Sequence, residues 1–278
     1  MDLTACSRML FLKILFKEFY YLIRSRESRT FLRLALQYGG TKRYQPTPVS
    51  FLRYRFLVPD AFSFLWQFKE IFVEEAYHFK ASGLQPLIYD CGANVGTSCV
   101  YFKQLYPNAR VKAFEADPNI ARYLKQNLES NDLQNVEVTA KAVWTDAAGI
   151  ELSQEGADSG SVYGSGNKVR VPSVRLRDLI AREAHVDMLK IDIEGAETAV
   201  LTDCGEMLSR VQHLFVEYHA FLGQTQDLDE ILAVLRSNGF RYFIRDAQDR
   251  PRPLSNPYYR NNRGMDLQLN IFAYRENS

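Results

Sequence analysis

Two acidic side chains that follow short apolar runs are the residues of this sequence most suited to bind a nucleoside. Asp90 opens the segment DCGANVG at 90–96, and Glu115 follows the next apolar run, 19 residues after Gly96. Glycines let the backbone of such a loop approach a ligand, and a helix that begins near Thr97 directs amide donors toward it. An acid about 20 residues beyond the loop can accept hydrogen bonds from both ribose hydroxyls.

The chemistry of the loop distinguishes between nucleoside cofactors. The dinucleotide pattern G-x-G-x-x-G needs a glycine where Asn94 stands, and no Gly-Lys-Ser/Thr follows as in a P-loop. A carboxylate at Asp90 suits the α-ammonium group of S-adenosylmethionine and does not suit a pyrophosphate. We therefore predict an S-adenosylmethionine site in a methyltransferase. The residues expected to bind the cofactor are Asp90, Gly92, Asn94, Gly96, Thr97, Glu115, Ala142 as an adenine floor, and Asp192.

A second group of acids, with one histidine, follows two later apolar runs. KIDIEGAE occupies 190–197 and EYH occupies 217–219. Transfer of a methyl group to a hydroxyl is assisted by a general base, for which His219 and Asp192 are the candidates, with Glu217 or Glu194 orienting the base or the substrate. Alternatively, Asp192, Glu217 and His219 could hold Mg²⁺. No metal is predicted, since a histidine suits that ion less than oxygen ligands do.

The order of the apolar patterns predicts the elements that position these residues. Residues 1–36 have a helical pattern, 51–56 alternate as a short exposed strand, and 63–75 are helical. From residue 86 strands and helices alternate, with a third core strand at 136–143 and a Gly/Ser-rich hairpin or lid at 151–168. Such alternation favours an α/β fold in which a mostly parallel sheet binds its ligand beyond the carboxyl ends of the strands. The predicted domains are an N-terminal helical extension, 1–60, and a methyltransferase domain, 61–278.

Composition excludes some classes of protein and leaves others open. A net charge of +1 gives no sign of a nucleic-acid partner, and four cysteines without a CxxC pair favour a reduced, cytoplasmic chain. Residues 9–23 are apolar, but Lys13 and Lys17 interrupt them, so we expect no transmembrane segment. That helix is expected to pack on protein, with peripheral membrane contact as the alternative. The oligomeric state is open.

Four segments together resemble the FkbM family of S-adenosylmethionine-dependent methyltransferases: DCGANVG, FEADP at 114–118, KIDIEGAE and EYH. The resemblance covers about residues 70–275; Ala116 and Cys91 are less usual choices, and residues 1–60 fall outside it. It implies a class I methyltransferase fold, a seven-stranded, mostly parallel sheet with helices on both faces and a reversed final hairpin. It also implies O-methylation of a small-molecule or glycan hydroxyl acceptor. Two other hypotheses stay open, an NAD-dependent oxidoreductase and a non-catalytic cofactor-binding module.

Overall fold

Two compact units, Met1–Ala76 and Tyr77–Ser278, make up the chain. The computed structural model describes residues 25–154, 160–161, 167–246, 252, 254–256 and 264–276. The sequence-based division after residue 60 falls inside the first unit, and the apolar segment 9–23 lies outside the described residues. Within the described ranges, no helix is both long and apolar enough to cross a membrane.

The N-terminal unit is a helix–hairpin–helix arrangement around aromatic side chains. Its elements are α1 (Arg26–Tyr38), β1 (Thr47–Phe51), β2 (Tyr54–Val58), α2 (Ala61–Phe68) and a π-helical turn (Lys69–Val73). The prediction of one exposed strand at 51–56 was wrong, because the chain reverses between Phe51 and Tyr54 and β1 pairs antiparallel with β2. Leu52 adopts a positive φ of 50° in that turn, and the aromatic rings of Phe51 and Tyr54 on either side of the turn are buried.

A seven-stranded sheet organises the second unit and confirms the predicted class I methyltransferase fold. The strands are β3 (Leu87–Cys91), β4 (Arg110–Phe114), β5 (Val136–Thr139), β11 (Val186–Ile191), β12 (Val211–Phe221), β13 (Arg241–Asp246) and β14 (Met265–Tyr274). Their spatial order is β13-β14-β12-β11-β3-β4-β5; β14 is antiparallel to both of its neighbours, and the other pairs are parallel. The helices are α3 (Thr97–Leu105), α4 (Pro118–Ser130), α5 (Leu176–Ile180), α6 (Glu197–Cys204) and α7 (Leu228–Ser237), with a 3-10 turn at Gly205–Arg210.

The strand order reverses direction at β3, which places a ligand crevice at the carboxyl ends of β3, β4 and β11. The prediction of one strand over 136–143 was wrong. β5 ends at Thr139, whose carbonyl accepts from the Lys141 N–H at 2.9 Å, and this turn takes the chain out of the sheet. The next strand, β6 (Ala142–Trp144), instead pairs with β10 (Ser173–Arg175). The chain between β6 and β10 forms a small antiparallel sheet of β7 (Ile150–Gln154), β8 (Gly160–Ser161) and β9 (Asn167–Val171), in agreement with the predicted hairpin.

Candidate active site

The loop between β3 and α3 is fixed by backbone contacts that leave no room for a side chain at Gly92. Gly92 has φ +85°, and a Cβ built there would lie 1.8 Å from the carbonyl oxygen of Asp192. The amides of Gly92 and Ala93 both donate to the carbonyl of Phe114, at 3.0 and 2.9 Å. Asn94 is left-handed at φ 49°. The loop therefore lies directly against the ends of β4 and β11.

Glu115 lies at the carboxyl end of β4 and is held in a defined orientation. One carboxylate oxygen accepts from the Asn94 N–H and the other from the Asp117 N–H, both at 2.9 Å. Burial raises the pKa of Glu115 to about 7, although these two amide donors and the charge of Lys190 oppose the shift. A carboxylate has further acceptor positions beyond those two hydrogen bonds, and the side chain lines the crevice.

The crevice combines the groups that an adenosine requires. Gly92 and Asn94 supply backbone, Glu115 supplies an acceptor for hydroxyls, and apolar side chains line another part of the crevice. The lining residues are Gly92, Asn94, Phe114, Glu115, Ala116, Lys141, Ala142, Val143, Ile150, Leu152, Asp192, Ile193, Glu194 and Ala196. The site thus fits the nucleoside end of S-adenosylmethionine. Of the predicted cofactor residues, Gly92, Asn94, Glu115, Ala142 and Asp192 are in this lining.

Asp90, Gly96 and Thr97 are not among these lining residues. Asp90 is completely buried; it accepts from the Ser98 hydroxyl at 2.5 Å and lies 3.4 Å from the Nζ of Lys190. Gly96 (φ +94°) precedes α3 and packs against Leu124. Direct contact of Asp90 with a cofactor ammonium group therefore stays a prediction, whereas its support of the loop is visible in these contacts.

Lys190 joins the loop to the acidic segment after β11. Its Nζ donates to the carbonyl of Gly92 at 2.7 Å and lies 3.2 Å from a carboxylate oxygen of Asp192. The side chain is 3 % exposed. Burial alone would lower the pKa of Lys190, but Asp192, Asp90 and Glu217 raise it well above its usual range, so the ammonium is charged.

His219, on β12, is surrounded by carboxylates. Its Nδ1 lies 3.0 Å from Oε1 of Glu197, and its Nε2 lies 3.8 Å from Glu194 and 3.9 Å from Glu217. Burial alone would lower the pKa of His219, but Glu194, Glu197 and Glu217 together raise it well above 6.5. The structure therefore brings together all four predicted catalytic residues: Asp192, Glu194, Glu217 and His219.

The sequence analysis assigned no role to four residues that the structure places in or beside the site. Lys190 and Glu197 stand inside KIDIEGAE but were given no role, because a sequence does not show that one reaches Gly92 and the other His219. Ile150 and Leu152 line the crevice from β7. Their alternating spacing in a strand was the available signal.

Comparison with known proteins also finds methyltransferases. The model of the family "Methyltransferase FkbM domain" matches residues 90–242. Methyltransferase sdnD of Sordaria araneosa is 30% identical over 179 residues, which cover 50% of this chain and 68% of sdnD. The 31-O-demethyl-FK506 methyltransferase FkbM of Streptomyces tacrolimicus is 25% identical over 213 residues, 62% of this chain and 80% of that enzyme.

Among solved structures, the chain is similar to an FkbM methyltransferase from Methylobacillus flagellatus KT. The TM-score is 0.47 at 15% identity, over 90% of this chain and 59% of that one. The family match alone spans more than half of the sequence and contains Asp90, the carboxylate group around His219 and all of the residues that line the crevice. The chain therefore belongs to the FkbM family of methyltransferases, whose methyl donor is S-adenosylmethionine.

Proposed function

We propose that this enzyme transfers the methyl group to a hydroxyl oxygen of a small molecule or glycan. The main support for the proposal is that one crevice contains both the expected cofactor-binding residues and two of the carboxylates near His219. Asp192 and Glu194 line the same crevice as the nucleoside-binding residues, and both belong to the carboxylate group around His219. A hydroxyl must lose a proton as it is methylated, and an acidic group with a histidine beside the donor suits that need. The name of the Streptomyces relative, an O-demethyl-FK506 methyltransferase, supports the same reaction.

Each group of residues has a distinct part in the proposed reaction. Glu115 accepts the ribose hydroxyls, the Gly92–Asn94 backbone contacts the amino-acid portion of the donor, and Ala142 packs against adenine. S-adenosylmethionine supplies an electrophilic methyl group on a sulfonium. The acceptor oxygen forms the new C–O bond as the S–C bond breaks, and its proton passes to the group formed by Asp192, Glu194, Glu217 and His219. Alignment within about 3–3.5 Å and exclusion of water contribute much of the rate.

The test of this proposal is the product of a reaction with methyl-labelled S-adenosylmethionine. A panel of sugars and natural products that carry free hydroxyls, with amine analogues alongside, is analysed by mass spectrometry. We expect a label on oxygen, and we expect His219→Ala to keep S-adenosylhomocysteine affinity while losing turnover. The control is His213→Ala, because His213 lies on the same strand, away from the carboxylates, and its Nδ1 donates to the backbone carbonyl of Asp187 at 2.9 Å. Label on nitrogen alone, or normal turnover in His219→Ala, would refute these assignments.

A further inference from the structure

Asp192, Glu194 and His219 form a compact group whose side-chain ligand atoms converge. One such atom from each lies within 4.8 Å of the others. The two acids follow β11 and the histidine belongs to β12, so neighbouring parallel strands bring the group together. His219 is 2 % exposed at its side chain, and the acids are 23 % and 26 % exposed toward the crevice. The histidine of this group is therefore buried, and its two carboxylates are accessible from the crevice.

Glu197 fixes the orientation of the imidazole. Its carboxylate is 1 % exposed and accepts from the amides of Ile193 at 3.0 Å and Gly195 at 3.0 Å. The same carboxylate lies 3.0 Å from Nδ1 of His219. Because a carboxylate only accepts, Nδ1 donates to Glu197, and this leaves Nε2 facing Glu194 and Glu217 at 3.8 and 3.9 Å, beyond hydrogen-bond distance. A carboxylate that orients a histidine in this way is typical of histidines that bind metals.

The charge of the surroundings favours another cation. Lys190 is close to both Asp90 and Asp192, so one ammonium serves two carboxylates. Three further carboxylates, of Glu194, Glu197 and Glu217, surround His219. These five carboxylates outnumber Lys190 and His219, the two basic side chains that contact them here, and a divalent cation would offset the excess negative charge.

We propose that Asp192, Glu194 and His219 bind one divalent cation, with Glu197 as the residue that positions the imidazole. Two carboxylates and one imidazole suit a first-row cation such as Mn²⁺, since carboxylates suit Mg²⁺ and Mn²⁺ while imidazole suits the transition metals. The proposal rests on the proposed function for its chemistry. A cation held there would make an acceptor hydroxyl more acidic, and Glu217, 3.9 Å from the Nε2 of His219, would accept the proton. The hydroxyl oxygen forms the C–O bond as the S–C bond of S-adenosylmethionine breaks.

The test measures the cation directly. The full chain is stripped with a chelator and titrated with Mn²⁺, and free Mn²⁺ is followed by electron paramagnetic resonance. S-adenosylhomocysteine affinity is measured on the same samples and reports whether the fold and the nucleoside site are intact. We expect one high-affinity Mn²⁺ per chain, loss of that site in His219→Ala and in Asp192→Asn, and affinity about tenfold lower in Glu197→Gln. His213→Ala, the control on the same strand, keeps wild-type Mn²⁺ affinity.

The two measurements separate the two proposals. Absence of Mn²⁺ binding by wild-type protein that binds S-adenosylhomocysteine overturns the metal site and leaves the methyltransferase proposal standing. Unchanged Mn²⁺ affinity in both His219→Ala and Asp192→Asn also overturns it. Conversely, Mn²⁺ binding that His219→Ala abolishes, in a chain that transfers no methyl to any hydroxyl, supports the site and contradicts the proposed function.

Discussion

Glu115 is the side chain that we propose to recognise the ribose of the cofactor. Its two carboxylate oxygens are oriented by the amides of Asn94 and Asp117, so the loop and the start of α4 set its direction. Its spacing from Gly96 made it predictable from the sequence. Its raised pKa was not predictable, because burial depends on the residues that close the crevice around it.

Cofactor affinity is therefore expected to depend on the protonation of Glu115. With a pKa of about 7, the side chain is ionised above that pH and accepts both ribose hydroxyls; below it, the protonated carboxyl loses an acceptor. Affinity for S-adenosylhomocysteine should therefore fall as pH decreases, by up to about tenfold for each pH unit below the pKa. The charged groups that act on Glu115 are Asp117 and Lys190. Calorimetry across this range checks the prediction, and Glu115→Gln should bind weakly with no such pH dependence. A pH profile in Glu115→Gln equal to that of wild type would assign the effect to another group.

We expect Lys190 to stabilise the fold through its ion pairs with Asp90 and Asp192. Replacing it with methionine leaves Asp90 and Asp192 without their buried cation, and such a loss costs about 3–5 kcal/mol. The matched control is Lys112→Met on β4, whose Nζ lies 2.6 Å from Glu183 but is 31 % exposed, and such pairs contribute about 1 kcal/mol or less. Urea unfolding measures both variants. Equal losses of stability would contradict the structural role of Lys190.

At the scale of elements, the contact between the β3–α3 loop and the segment after β11 determines the shape of the crevice. Gly92 is the point of closest approach. Gly92→Ala and Gly223→Ala both place alanine at φ +85°, which costs about 1–2 kcal/mol. Only the first also meets a backbone oxygen, at 1.8 Å, whereas nothing lies within 4 Å of a Cβ at Gly223. We expect Gly223→Ala to stay folded and Gly92→Ala to lose more than about 4 kcal/mol of stability, measured by urea unfolding. Similar stability of the two variants would show that the loop does not pack this closely.

The sequence predicted elements best where local signals were strong. The start of α3 near Thr97 was predicted correctly, because Gly96 precedes it and a helical apolar period follows. The break between β5 and β6 was missed, since both halves are apolar and only the turn at Thr139 and Lys141 separates them. The contact of His219 with Glu197 was not predictable from the sequence either, because it joins residues 22 positions apart on different elements.

At the scale of the whole molecule, every residue that lines the crevice belongs to the second compact unit. The first unit has its own aromatic core, in which Phe51 packs against Phe56, Phe64, Phe68 and Phe72. We propose that the methyltransferase domain binds its cofactor without residues of this first unit. This proposal rests on the location of the lining residues in the second unit and of the aromatic core in the first.

Phe51→Ala tests this separation. Removing the ring should destabilise the first unit by about 3–5 kcal/mol and leave S-adenosylhomocysteine affinity unchanged. The control, Phe243→Ala, removes a ring that is 62 % exposed and should change stability by less than about 0.5 kcal/mol. Thermal unfolding and calorimetry provide the two readouts. Loss of cofactor affinity in folded Phe51→Ala would argue against the separation.

Calorimetric titration with S-adenosylhomocysteine, and separately with NAD, tests the assignment of the crevice most directly. We expect one S-adenosylhomocysteine per chain and no NAD, and we expect affinity to fall by about tenfold or more in Glu115→Gln, where a hydrogen bond to a charged acceptor is lost. No S-adenosylhomocysteine bound by the folded wild-type chain, or unchanged affinity in Glu115→Gln, would contradict the account.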